Sequence, residues 1–149
     1  MPRRYIVTDE NRTALAASDL IQCKGASNKI VAVIRWWWRP YDNTLPTAQT
    51  FATRCRRLPA TVTDGTGGAT VTPRALDPGD TAATFTARAG DTAKTTTSGT
   101  AVVVDESGAH IYNGYEQQPE KPVILGPSDA FVFELLNSAL QGTCKINIG

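Results

Sequence analysis

The chain has 149 residues and a formal net charge of +1, its 15 lysines and arginines interspersed with 14 acids. That balance supplies no strong field for nucleic acid or an anionic membrane, so neither is expected as a partner. No stretch approaches the roughly 18 consecutive apolar residues of a membrane span, because Arg35 interrupts the most apolar run, Ile30 to Trp38.

A chain of this length suits one domain over 1–149, able to bury roughly 70% of the surface its unfolded form exposes. Its start lacks the charged-then-apolar pattern of a secretory signal. The basic residues 1–4, "MPRR", read as a flexible arm. Threonine and valine are abundant and glycine and proline punctuate throughout, which predicts short strands.

In chain order the predicted strands begin with Arg4–Thr8 and Asp19–Lys24; "ASDLIQCKG" is also compatible with an opening helical turn. Ile30–Trp38, Thr50–Leu58 and Thr61–Thr63 follow, then an exposed loop over 63–70 and a strand Thr70–Thr72. The segment after the Pro-Gly turn at 78–79 predicts a short helix over Asp80–Ala87, and the polar run 90–100 predicts an exposed excursion. Thr100–Val104, His110–Tyr115, Val123–Leu125, Ala130–Leu136 and Thr143–Ile148 complete the set. About ten short strands with long, irregular loops and at most one short helix predict an all-β, single-domain sandwich or jelly roll.

The tryptophan strand, "KIVAVIRWWWRP", dominates the reading. Under a period of two, Ile30, Ala32, Ile34, Trp36 and Trp38 share an apolar face assigned to the core. Val31, Val33, Arg35 and Trp37 take the other face. Trp37, flanked by Arg35 and Arg39, is the outward residue, and three uses stand open: contact with another protein, packing under a loop, or a stacking platform for sugar with Tyr41, Asp42 and Asn43. Tryptophan and arginine are both enriched at protein interfaces. "RCRR" places Arg54 and Arg56 on one strand face, suited to blunting an exposed edge, to a subunit contact or to phosphates.

Catalytic chemistry finds little purchase. The one histidine, His110, has no nucleophile motif beside it, and Asp77/Asp80 and Asp105/Glu106 sit in expected turns. "DGTGG" lacks the lysine and helix of a phosphate loop. Cys23, Cys55 and Cys144 are too far apart for metal-ligand spacing and read as buried thiols. No enzyme, cofactor or metal is therefore expected.

Two segments, "TGGATVTPRALDPGD" (66–80) and "PVILGPSDAFVFELLNSALQGTCKINIG" (122–149), carry a resemblance. Gly67, Gly68, Thr70, Val71, Thr72, Pro73, Arg74, Leu76, Asp77, Pro78 and Gly79 match the first element, and Pro127, Ser128, Leu135, Gly142 and Thr143 the second. The chain resembles small virion proteins of tailed bacteriophages, of the β-sandwich capsid decoration or cement type. It departs from them in the tryptophan strand, where small or polar residues are more usual, and at Cys144.

The resemblance implies a non-enzymatic structural protein made in the host cytoplasm and carried on the phage head surface. Its implied partners are the major capsid protein and copies of itself, a trimer ahead of a dimer. Arg35, Trp37, Arg39, Arg54 and Arg56 are the expected contact residues. Pro73, Arg74, Asp77, Pro78 and Gly79 form a structural turn motif, with Arg74 placed to bond loop carbonyls or Asp77. A tail, neck or fibre module of the virion and a carbohydrate-binding sandwich remain as alternatives.

Overall fold

The computed structural model describes residues 3–14, 17–40, 50–110, 112–136 and 140–149. Its strands are β1 (Tyr5–Ala14), β2 (Asp19–Lys24), β3 (Val31–Pro40), β4 (Thr50–Leu58), β5 (Val62–Thr63), β6 (Ala69–Val71) and β7 (Arg74–Ala75). They continue with β8 (Thr86–Asp91), β9 (Thr96–Thr97), β10 (Val102–His110), β11 (Tyr115–Gln117), β12 (Val123–Leu125), β13 (Ala130–Leu135) and β14 (Leu140–Ile148). No helix occurs among the described residues, so none there is long and apolar enough to cross a membrane.

Two six-stranded antiparallel sheets face each other across the core. The first runs β11-β3-β14-β1-β7, with β12 also pairing with β3, and the second runs β10-β4-β13-β2-β8-β6. Closure of the first sheet is non-local: β14, near the chain's end, lies between β1 and β3. The core joins Trp36, Trp38, Cys144 and Ile146 of the first sheet to Phe51, Cys55, Phe131 and Phe133 of the second. Trp36 meets Phe131 with ring centroids 5.0 Å apart.

The tryptophan strand splits as expected at its far end and inverts at its near end. Trp36 and Trp38 are buried, but so are Val31 and Val33, while Ile30 is 71% exposed. The cause is a bulge. Val33 pairs with Ile148 and Arg35 with Asn147, so Ile34 is an extra residue on β3 that reverses the alternation. The apolar stripe assigned to Ile30, Ala32 and Ile34 therefore belongs to the outer face.

Gly142 makes room for this packing. A Cβ there would lie 2.8 Å from Trp38 Cζ2 and 2.7 Å from the Arg39 carbonyl oxygen.

The expected helix over Asp80–Ala87 is a strand at its end: β8 begins at Thr86 and pairs with both β2 and β6. Its residues Ala87 and Ala89 are buried and alternate with less buried neighbours. A two-residue period won over the local helical preference of its alanines because β2 has an edge to be paired. The strand after 100 is also longer than predicted, reaching His110. Asp105 and Glu106 consequently stand in β10 beside a bulge, not in a turn.

The segments 63–70 and 90–100, read as exposed loops, are exposed only in part. Each contributes to a two-stranded sheet, β5-β9, that caps the outer face of the second sheet. Val62 packs there with Leu58, Ala130 and Val132. Gly68 donates its N–H to Asp91 Oδ1 at 3.0 Å, and a Cβ at this position would be driven into the Ala89 carbonyl. Of the arm at 1–4, Met1 and Pro2 lie outside the described residues, whereas Arg4 accepts a hydrogen bond at its carbonyl from Leu76 N–H.

All three cysteines are buried and free, and burial pushes each thiol well up from its ordinary range. The native protein is expected to leave a thiol reagent such as Ellman's unreacted, and to titrate three thiols once unfolded in guanidinium. Rapid reaction in the folded state would contradict this packing.

Candidate protein-contact site

The outer face of the first sheet gathers residues from three strands. On β3, Trp37 is half-buried between Arg35 and Arg39. β14 sets Lys145 directly beside Trp37 and Thr143 beside Arg39, and β11 sets Glu116 on Trp37's other flank. Arg35 Cζ lies 5.0 Å from the Trp37 ring centroid and Lys145 Nζ 6.0 Å from it, so the ring carries two cations. Glu116 pairs with Arg35 and, at 3.4 Å, with Arg39.

A shallow depression of about 460 Å³ opens here, lined by Arg35, Trp37, Arg39, Pro40, Thr143 and Lys145. It is cationic and aromatic, and no carboxylate lines it among the described residues. A sugar ring stacking on the face of Trp37 that Arg35 covers would compete with that cation. Tyr41, Asp42 and Asn43, the other members of that reading, lie outside the described residues.

Arg54 and Arg56 are placed elsewhere. β4 is an interior strand between β10 and β13, so these arginines do not blunt an edge. Both turn to Glu134 on β13: Arg54 Nε donates at 2.5 Å to Oε1, and Arg56 Nε lies 3.1 Å from the same oxygen. Lys94, from the cap, donates at 2.8 Å to Oε2. Glu134 itself is 0% exposed. Burial alone would raise its carboxyl, but the hydrogen bonds from Lys94 and Arg54 and the charge of Arg56 hold it below the usual carboxylate range.

Glu134 belongs to a charged layer beneath the cap. Asp91, Asp19 and Glu134 stand opposite one another across β8, β2 and β13. Asp19 Oδ2 accepts the Thr95 N–H at 2.7 Å, while its Oδ1 is buried without a hydrogen-bond partner among the described residues. Burial pushes the Asp19 carboxyl up, and the Thr95 bonds recover only part of that cost. Gln22 and Lys24 complete the fastening by donating to Asp64 Oδ1 at 2.7 and 3.2 Å.

The motif 73–79 makes an ordered turn on the rim. Arg74 pairs with Ile6 through β7, and Asp77 Oδ1 accepts the Gly79 N–H at 2.9 Å while its carbonyl accepts Asp80 N–H at 3.0 Å. Pro78 holds the backbone dihedral that such a turn requires. Arg74 is exposed and lines a groove with Ile6, Thr8 and Thr70. His110, at the end of β10, stacks on Tyr112 at 5.0 Å and accepts its N–H at Nδ1, 3.4 Å away.

Lys145 and Glu116 were not among the expected contact residues. The alternation in "GTCKINI" puts Lys145 opposite Cys144 and Ile146, but the pairing of β14 and β11 with β3 is long-range and has no local signal. Glu134 had one: a lone acid in "AFVFELL" shares its parity with Ala130 and Val132. No protein-family model, no curated protein and no solved structure matches this chain.

Proposed function

We propose that this chain is a structural virion protein, a capsid decoration protein that attaches to the major capsid protein on the outside of a phage head. It would act as a homo-oligomer, a trimer ahead of a dimer, with many symmetry-related copies compensating for weak individual contacts. The phage head enters through the resemblance of segments 66–80 and 122–149. The observation that carries attachment is the Trp37 face: a half-buried tryptophan among Arg35, Arg39 and Lys145 on the outer face of the first sheet.

Trp37→Ala should leave the unfolding midpoint of the isolated protein nearly unchanged and release the protein from particles in sedimentation. Particles lacking the protein should lose genome at lower temperature than complete ones. Unchanged particle stability in its absence would remove the decoration role. A copy number in the tens or fewer, at one vertex, would place it in the tail or neck.

A further inference from the structure

The outer face of the first sheet changes chemistry along β3. At one end Ile124, 49% exposed, stands beside Ala32, and Ile34 follows in the bulge. At the other end the cations surround Trp37, and the Arg39 side chain is 69% exposed. From Ile34 to Arg39 a strand covers about 17 Å, the length of an extended segment of about five or six residues. Two of the three cations, Arg35 and Arg39, share Glu116, whose bond to Arg39 is long at 3.4 Å, and among the described residues no carboxylate lines the depression beside Lys145.

We propose that this face takes an acidic segment of the partner protein, carboxylates against Arg39 and Lys145 beside Trp37 and aliphatic side chains against Ile124 and Ile34. The proposal rests on the attachment argued above and names the partner chemistry of that surface. Arginine supplies a planar fork for a carboxylate, and Lys145 a compact charge. An aliphatic strip offers nothing to a phosphate backbone, so a protein segment carrying both acidic and aliphatic side chains fits this face better than nucleic acid.

The test is binding of the full-length protein to particles stripped of it, measured against salt and with two variants. Wild-type affinity should fall steeply between about 50 mM and about 500 mM sodium chloride. The double variant Arg39→Glu with Lys145→Glu should bind about 100-fold more weakly. Its unfolding midpoint should match wild type, since both side chains lie off the core; if it does not fold, Arg39→Gln with Lys145→Gln should lose about 10-fold.

If the charge variants bind like wild type while Trp37→Ala does not, the face attaches but the acidic segment is wrong. Should neither Trp37→Ala nor the charge variants alter binding, the attachment itself fails. Tighter binding of single-stranded oligothymidylate than of particles, abolished by the charge reversals, would overturn the proposal in favour of nucleic acid.

Discussion

Glu134→Gln is expected to destabilise the protein by about 3 kcal/mol, whereas Asp19→Asn should change stability by no more than about 1 kcal/mol and in the stabilising direction at neutral pH. The two acids occupy one row beneath the same cap but stand in opposite situations. Glu134 is fully buried and receives Arg54, Arg56 and Lys94. Neutralising it leaves three cations without their counter-charge; they retain 16 to 32% side-chain exposure, which keeps the cost at the low end of the range for a broken buried pair. Asp19 faces Glu134 and has one oxygen without a donor among the described residues, and an amide removes a charge that burial disfavours.

The pH dependence separates them further. Glu134's folded pKa is depressed, so its stabilisation is complete above its ordinary value of 4.5 and is lost as pH falls through the lower, folded value. Asp19's folded pKa is raised, so its ionisation weakens the fold as pH climbs from its ordinary 3.8 through the folded value. Wild type should therefore lose stability on acidification more steeply than Glu134→Gln. Urea titrations of the three proteins at several pH values read these differences directly, with an unchanged m-value as the control.

Trp36→Ala is expected to cost about 3–5 kcal/mol and Trp37→Ala, one residue away, less than about 1 kcal/mol. Trp36 has no exposed surface, packs on Phe131 and stands opposite Ile146 of β14. Its removal leaves a cavity between two sheets that cannot collapse around it. Both Trp36 Nε1 and Trp38 Nε1 are buried without an acceptor among the described residues, a cost in the native protein. Trp36→Phe should accordingly lose less than its reduced area suggests. Equal losses at 36 and 37, by guanidinium unfolding, would contradict the division of the strand into core and surface.

The fold class was legible because strand punctuation and period two are local: β2, β4 and β12 occur where the sequence placed them. What could not be read is what depends on pairing. The bulge at Ile34 arises from the register of β3 against β14, more than a hundred residues away, and one extra residue moved Ala32 and Ile34 to the outer face. Of the helix expected over Asp80–Ala87, 81–85 is irregular and Thr86 and Ala87 open β8, a strand because β2 and β6 flank it.

The site was legible in the same proportion. Trp37, Arg35 and Arg39 share the outer face because the bulge precedes them and alternation after it is regular. Arg54 and Arg56 looked equally available from their spacing, yet their charge is used within the protein by a glutamate nearly eighty residues away. An arginine's sequence neighbours do not reveal whether a buried acid will reach it. Lys145 joins Trp37 only because β14 is inserted next to β3.

The most direct measurement is a density map of the phage head on which the protein is proposed to sit. The predicted result is many symmetry-related copies on the head, each with the outer face of the first sheet, and Trp37, Arg35 and Arg39 within it, turned into a protein contact. A map with no copy on the head, or with Trp37 facing solvent in every copy, would contradict the account.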